Sequence, residues 1–332
     1  MDSGEAMNMR VLVVTNMYPQ PDRPAFGVFV RDQVESLRRM GLEMDVFFID
    51  GRRNRLNYVW AYPRLWRALA RQRYDLVHAH YIFSGLVALG QRRYPVVLTH
   101  HGPEVFMTWE SVLCRLFTRF FDEVIVVSEE MRERLRFPRA RVIPCGVDLE
   151  MFRPLPQAEA RSALGLPPGK RLVLWAGEHF RPEKRWDLVQ ASMEVLRSRR
   201  DDVELVLASG RPHELVPLYM NACDVLLLVS DAEGSPMVVK EAMACNLPVV
   251  STPVGDAPQV IAGTEGCFLC TQDPHDIAAK LEMALDFGRR TDGRERVRHL
   301  SLEQVAERVA EVYAVALARR GVRRGRPARA GA

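Results

Sequence analysis

Apolar residues along this chain fall into short unbroken runs that alternate with stretches of helical spacing. Residues Arg10–Thr15 form an apolar run closing on a polar loop, as in a strand covered on both faces of a parallel sheet. After the loop 16–26, Val30, Val34, Leu37 and Met40 recur at helical spacing, Gly41 follows as a C-cap, and Met44–Ile49 is the next strand. Further runs at Leu76–Val77, Val96–Thr99 and Val124–Val127, with helix-like stretches between them, predict a doubly wound parallel sheet. A second series begins with a strand at Arg171–Ala176. It continues through a helix at Trp186–Leu196, strands at Val203–Ala208, Val225–Val229 and Pro248–Ser251, and a helix at Pro274–Phe287 carrying Ile277, Leu281 and Leu285 on one face. Pro154, Pro156, Pro167, Pro168 and Gly169 precede this series and suit a linker. The pattern predicts an α/β protein of two Rossmann-like, doubly wound parallel-sheet domains facing a central cleft, with the binding loops at the strand C-terminal ends. The expected divisions are a domain over 9–155, a domain over 156–300, a C-terminal helix over 301–319 packing back toward the N-terminal domain, and a disordered Arg-rich tail over 320–332.

Composition narrows the classes. A length of 332 residues exceeds one ordinary domain, and 48% hydrophobic with 27% charged residues is ordinary for a soluble globular chain. No stretch reaches the roughly 20 apolar residues of a membrane-spanning helix. Met1–Met9 carries Asp2 and Glu5 and lacks the apolar core of a secretory signal. The six cysteines are scattered, as reduced cytosolic thiols are. Only Cys267-x-x-Cys270 has metal or redox spacing; without a second pair it reads as a short apolar strand. A cytoplasmic protein is expected. The net charge of +4 is too mild to require nucleic acid, but it is unevenly placed. Seven arginines lie in 52–73 and six in the last fourteen residues, neither stretch holding an acid, which leaves the rest of the chain at −9.

The dinucleotide fingerprint G-x-G-x-x-G is absent. Gly165-Leu166-Pro167-Pro168-Gly169-Lys170-Arg171 is too short for a phosphate-binding P-loop and lacks the Ser or Thr after its Lys. The most informative segment is Asp224–Gly255. A buried strand runs into Gly234, Ser235 is placed to cap a helix, and Pro236 suits its first position. The N–H groups of Met237 and Val238, aided by the helix dipole, then form an anion site suited to a diphosphate. Glu233 precedes the cap and Glu241 lies within the helix. Eight helical residues span about 12 Å, beyond the roughly 5–9.5 Å of a glycosidase carboxylate pair. A split role, one Glu on a sugar and one on a ribose, fits better.

Glu233-x7-Glu241, followed by Ala242-Met243-Ala244 and Pro248-Val249-Val250, resembles the donor-site motif of the retaining glycosyltransferases of family 4, whose GT-B fold has two facing Rossmann-like domains. Asp75–His80, Thr99-His100-His101-Gly102, Val126-Val127-Ser128, Ile143–Asp148 and Phe152-Arg153-Pro154 resemble segments of that family in the same order, so the resemblance covers almost the whole chain. It implies that Glu241 binds the ribose hydroxyls, that Glu233 contacts the transferred sugar, and that His101 approaches the reacting sugar from the N-terminal, acceptor-side domain. It implies too that Gly27 approaches the phosphate or acceptor, although the family's frequent Gly-Gly is here Phe26-Gly27. The phosphate-binding cations of the family map to Lys184 and, because Glu178 stands where an Arg is usual, to Arg181 as a substitute. Cys145 and Asn246 replace a common Asn and Gly, and Gly210–Asp224 is long enough for a helix but not for an added strand.

The resemblance implies a retaining, metal-independent transferase moving a sugar from a nucleoside-diphosphate donor to a glycan or lipid-linked acceptor, in cell-surface polysaccharide or glycolipid synthesis. No cofactor and no acidic pair for a metal is expected; the burden is electrostatic, cations and helix N–H groups meeting the charge on the leaving diphosphate. The alternatives are a nucleotide-sugar epimerase of the same fold and a catalytically silent sugar-nucleotide-binding protein. His78-x-His80 and His100-His101 together are metal-like in spacing, but no carboxylate cluster accompanies them, and structural hydrogen bonding or cleft lining is the preferred reading. Residues 52–73 interleave Tyr58, Trp60, Tyr62 and Trp66 with arginine. This suits peripheral contact with an anionic membrane at its inner face as well as it suits a solvated helix with its aromatics in the core.

Overall fold

A computed structural model describes residues 9–325 apart from Ala25 and Met107. They form two compact units, one of the residues up to Pro144 together with the chain from Leu302, the other Cys145–Ser301.

The first unit holds a parallel six-stranded sheet in the order β2-β1-β3-β4-β5-β6. Its strands are β1 (Arg10–Thr15), β2 (Glu43–Phe48), β3 (Leu76–His80), β4 (Val96–His100), β5 (Glu123–Val126) and β6 (Arg141–Val142). Between them run α1 (Val28–Arg39), α2 (Asn57–Arg71), α3 (Ile82–Ala88), α4 (Pro103–Phe106), α5 (Thr108–Phe117) and α6 (Glu129–Leu135). Strands β3 and β4 are buried along their whole length, which explains the absence of period-two alternation in their sequences.

The second unit holds a parallel five-stranded sheet in the order β11-β10-β9-β7-β8. Its elements are α7 (Gln157–Leu164), β7 (Arg171–Trp175), α8 (Trp186–Arg199), β8 (Val203–Leu207), α9 (Val216–Ala222), β9 (Val225–Leu228), α10 (Met237–Ala244), β10 (Val249–Ser251), α11 (Ala257–Ile261), β11 (Phe268–Leu269), α12 (Pro274–Phe287) and α13 (Gly293–Arg296). Apolar clusters on both faces of this sheet are built from β7 and β9: Leu172, Leu174 and Leu226 on one side, Val173, Trp175 and Leu227 on the other.

Three boundaries differ from the sequence reading. The chain crosses between units at Pro144 and Cys145, not near 155. The proline-rich segment is part of the second unit because its side chains are needed there. Phe152 is buried in that core, and the Arg161 guanidinium, also buried, binds Asp224 at 2.8 Å and the carbonyls of Ala222 at 2.9 Å and Pro168 at 2.8 Å. The C-terminal helix α14 spans Leu302–Gly325, so the stretch 320–325, expected to be disordered, is helical. Residues 326–332 lie outside the described residues, as do 1–8, on which the secretory-signal argument falls. Val305, Val309, Val312, Tyr313 and Ala316 form the stripe by which α14 joins the first unit's core.

Candidate active site

In each sheet the strand order reverses beside the first strand, between β1 and β3 and again between β7 and β9. Loops leaving such neighbouring strands diverge and open a crevice at the strand C-terminal ends.

In the second unit those two loops follow Trp175 and Leu228. Lys184 ends a one-turn 3-10 helix, Pro182–Lys184, in the first of them, and its Nζ lies 2.6 Å from Glu233 Oε1 in the second. The same oxygen accepts the Ser230 hydroxyl at 2.7 Å. The Asp231 N–H donates to the Glu183 carbonyl at 2.9 Å, so backbone as well as side chains tie the loops together. Lys184 and Glu233 are both largely buried, which strengthens their attraction relative to a surface pair. Arg181 is held differently. Its guanidinium sits 2.6 Å from Glu183 and 3.7 Å from Glu178, so the acid standing at the usual Arg position binds the proposed substitute. Burial lowers the Arg181 pKa, but Glu183, Glu178 and the more distant Glu233 outweigh it and leave it raised.

Helix α10 starts where the second loop ends. Met237 and Val238 are partly exposed, and as first-turn residues their N–H groups have no partner within the helix. Ser235 does not cap this helix. Pro236 is the N-cap residue, and no side chain bonds to the first turn. The Ser235 hydroxyl is recruited elsewhere: it donates to Asp256 Oδ2 at 2.9 Å and accepts from Lys240 Nζ and, at 3.2 Å, from the Cys145 N–H. The reason is Lys240, which is wholly buried on the inner face of α10 and 2.8 Å from Asp256. A buried ammonium must be paired and hydrogen-bonded, and Ser235 is the nearest hydroxyl. Gly234 is fixed from the other side by Gly255, whose φ is +57° and whose missing Cβ would stand 2.7 Å from the Gly234 carbonyl. Glu241 lies one turn further along α10, nearly buried, with His213 Nε2 3.4 Å from its Oε1.

In the first unit His101 follows β4. Its Nε2 lies 2.8 Å from His80 Nδ1, the two rings stack at 5.1 Å, and its N–H donates to Glu104 at 3.1 Å. Burial, with His80 adding to it, pushes His101 down to about 3. His78 is pushed to about 3 by burial and binds Tyr313 at 2.7 Å and Thr99 at 2.8 Å. His80 is displaced downward for the same reason. The three form a row of neutral imidazoles, His101 hydrogen-bonded to His80 and His80 in ring contact with His78 at 4.2 Å, and no group able to hold a metal ion occurs among the described residues. Gly27 has φ +76°, and its Cβ position is occupied by the Met17–Tyr18 backbone at 2.4–2.5 Å. Glycine is therefore required there by the loop's own packing. Tyr81, after β3, also takes a positive φ of 76°, an uncommon strain for an aromatic residue.

Five residues of these edges escaped the sequence argument: Lys240, Asp256, Gly255, His213 and Tyr81. Only Lys240 left a signal, as a single cation inside the apolar run Met237–Ala244. Cys267 and Cys270 are free thiols, both pushed up to about 12 by burial.

Comparison with known proteins follows the same division. A family model described as Glycosyltransferase Family 4 matches residues 5–151, and one described as Glycosyl transferases group 1 matches residues 210–286. The chain is 28% identical over 308 residues to a D-inositol 3-phosphate glycosyltransferase of Thermobispora bispora, covering 74% of this chain and 72% of that protein. It is 26% identical over 321 residues to the putative teichuronic acid biosynthesis glycosyltransferase TuaC of Bacillus subtilis, covering 74% and 82%. Among solved structures it resembles sucrose-phosphate synthase from Thermosynechococcus elongatus, with TM-score 0.77, 22% identity and coverage of 93% and 99%. Anabaena HepE in complex with UDP-glucose gives TM-score 0.69, 18% identity and coverage of 92% and 99%.

Proposed function

We propose, for a chain that belongs to the glycosyltransferases of family 4 in residues 5–151 and of group 1 in residues 210–286, that it moves a sugar with retention from a nucleoside-diphosphate donor to a glycan or lipid-linked acceptor. The observation that carries this reading is the meeting of Lys184 and Glu233 at 2.6 Å across the switch point, beside the open N-terminus of α10. A diphosphate at that helix end draws Lys184 to its oxygens and frees the Glu233 carboxylate for a sugar hydroxyl. Glu241, backed by His213, takes the ribose hydroxyls. The solved complex of Anabaena HepE with UDP-glucose makes a uridine donor the first to test.

The acceptor oxygen attacks the anomeric carbon on the face the diphosphate leaves. The bond to the phosphate oxygen breaks, and that oxygen takes the acceptor's proton, so no protein nucleophile is required. Lys184 and the α10 N–H groups stabilise the charge that develops on the leaving group. His101 serves from the first unit as a neutral hydrogen-bonding ring, since its depressed pKa keeps it uncharged at neutral pH. The product belongs to cell-surface polysaccharide or glycolipid synthesis.

The test is a panel of nucleotide sugars offered to the purified chain, scored for thermal shift, hydrolysis, epimerisation and transfer, with and without a chelator. A shift with one nucleotide class, and chelator-insensitive transfer with the anomeric configuration kept, is the expected outcome. No shift with any nucleotide overturns the donor site, and conversion of donor alone would make the chain an epimerase.

A further inference from the structure

The first unit exposes two apolar helix faces that the donor site does not use. At the start of α2, Leu56 just before the helix and Val59 and Trp60 within it are exposed, Trp60 by 65%, and so are Arg53 and Arg55 in the turn before it and Arg67 and Arg71 further along. On α5 and the turn after it, Trp109, Val112, Leu116 and Phe120 form a second outward stripe, spaced three, four and four residues apart, with Arg115 and Arg119 exposed beside it. The acid between these faces, Glu110, is buried, binds the Tyr81 hydroxyl at 3.0 Å and lies within the electrostatic reach of Arg55. The two helices are linked through α3. Tyr58 of α2 packs on Phe83 of α3 at 5.5 Å, and Phe83 packs on Trp109 at 5.7 Å.

We propose that α2 and α5 together form a surface that rests on an anionic lipid bilayer and presents a lipid-linked acceptor to the strand edge carrying His101. This rests on the transferase reading above and specifies its acceptor. Tryptophan, leucine and phenylalanine at headgroup depth, ringed by arginine, is the composition of an interfacial helix. Large apolar side chains exposed in groups, as on each of these helix faces, are uncommon on a chain that stays in water. The charge selects the occupant. A second copy using this face would set one arginine rim against another, which like-charge repulsion disfavours, whereas an anionic leaflet complements it. Position agrees too, because α2, α3 and α4–α5 all follow the C-terminal ends of their strands, where His101 follows β4.

The experiment uses the full chain and two kinds of vesicle, phosphatidylcholine alone and an equal mixture with phosphatidylglycerol. The protein is expected to sediment with the anionic vesicles only and to be released by high salt. Replacing Arg53, Arg55 and Arg67 by Ala should weaken that partition about 100-fold, at about fivefold per arginine. The pair Trp109→Ser and Leu116→Ser, in the helix outside the arginine-rich segment, should weaken it about tenfold or more. Equal binding to neutral vesicles, no binding to either kind, or a dimer lost in these same variants overturns the proposal. Each variant is also tested for nucleotide-induced thermal shift. A retained shift with no vesicle binding removes this inference alone, and vesicle binding with no shift in any form of the protein removes the donor reading alone.

Discussion

The two strand edges solve one problem in opposite ways. At the second unit's edge, acidic and basic side chains are tied to one another in pairs: Lys184 to Glu233 at 2.6 Å, Lys240 to Asp256 at 2.8 Å. At the first unit's edge, His78, His80 and His101 are kept neutral by burial, His80 and His101 hydrogen-bonded to each other and His78 to Tyr313 and Thr99. The first arrangement suits a group that arrives carrying negative charge. The second suits one with hydroxyls and no net charge, where a cation would only compete for the donor. Function at the charged edge therefore depends on charge, and integrity at the neutral edge depends on its absence.

The largest effect should come from unbalancing the buried pair. Lys240→Met leaves Asp256 buried without its cation and should cost about 3–5 kcal/mol in denaturant unfolding, while adding Asp256→Leu should recover most of it. If the double variant is as unstable as the single, the pair is not what holds Ser235. Next, Lys184→Ala should lower turnover about 10²–10³-fold, as loss of an electrostatic donor does. Glu241→Ala should act on nucleotide affinity instead, by about tenfold to a hundredfold, with turnover at saturation preserved. Equal losses in both parameters for both variants would erase the division of labour.

The neutral edge is tested by acid. The histidine pKa values are lower folded than unfolded, so between about 6.5 and about 3 the unfolded chain binds more protons. Their contribution is full above about 6.5 and is lost as pH falls, by about 1.4 kcal/mol per unit for each histidine in that window. Glu104, held low by His100 against burial, adds to that loss only below its ordinary value of 4.5. Urea midpoints at pH 7.5 and 4.5 should differ less in His78→Gln than in the parent; an unchanged difference would mean His78 does not contribute. The smallest effect is expected from Arg181→Ala, below about tenfold in turnover, because Glu183 and Glu178 already hold that guanidinium. A loss as large as that of Lys184→Ala would show that donor binding draws Arg181 away from them.

Strands were legible wherever burial on both faces left an unbroken apolar run, and the helix Pro274–Phe287 was legible to the residue because Pro at its start and Gly288 at its end punctuate it. The Glu233–Glu241 segment was legible because its residue types and spacing are local. Ser235 misled, since a serine before a helix reads as a cap and nothing adjacent reveals that a lysine five positions on is buried and needs its hydroxyl. The prolines at 154–169 misled for a similar reason: they break regular structure in a linker and in a packed segment alike, and only the buried partners of Phe152 and Arg161 decide between the two. Asn246, where glycine is common, has φ +57°, a conformation asparagine tolerates, so that departure costs little. Trp60 and Trp66 read equally well as core or surface until their exposure was known.

The second unit enters and leaves the chain at a single place. Val147 donates its N–H to Leu300 at 2.8 Å and bridges Ser301, so the first and last residues of Cys145–Ser301 lie side by side while the flanking segments belong to the other unit. In genetic terms it is an insertion with abutting ends. Such a module can be exchanged at two neighbouring junctions with little demand on either, and on the proposed reading donor preference passes between relatives as one transplanted cassette without disturbing the surface proposed for the acceptor.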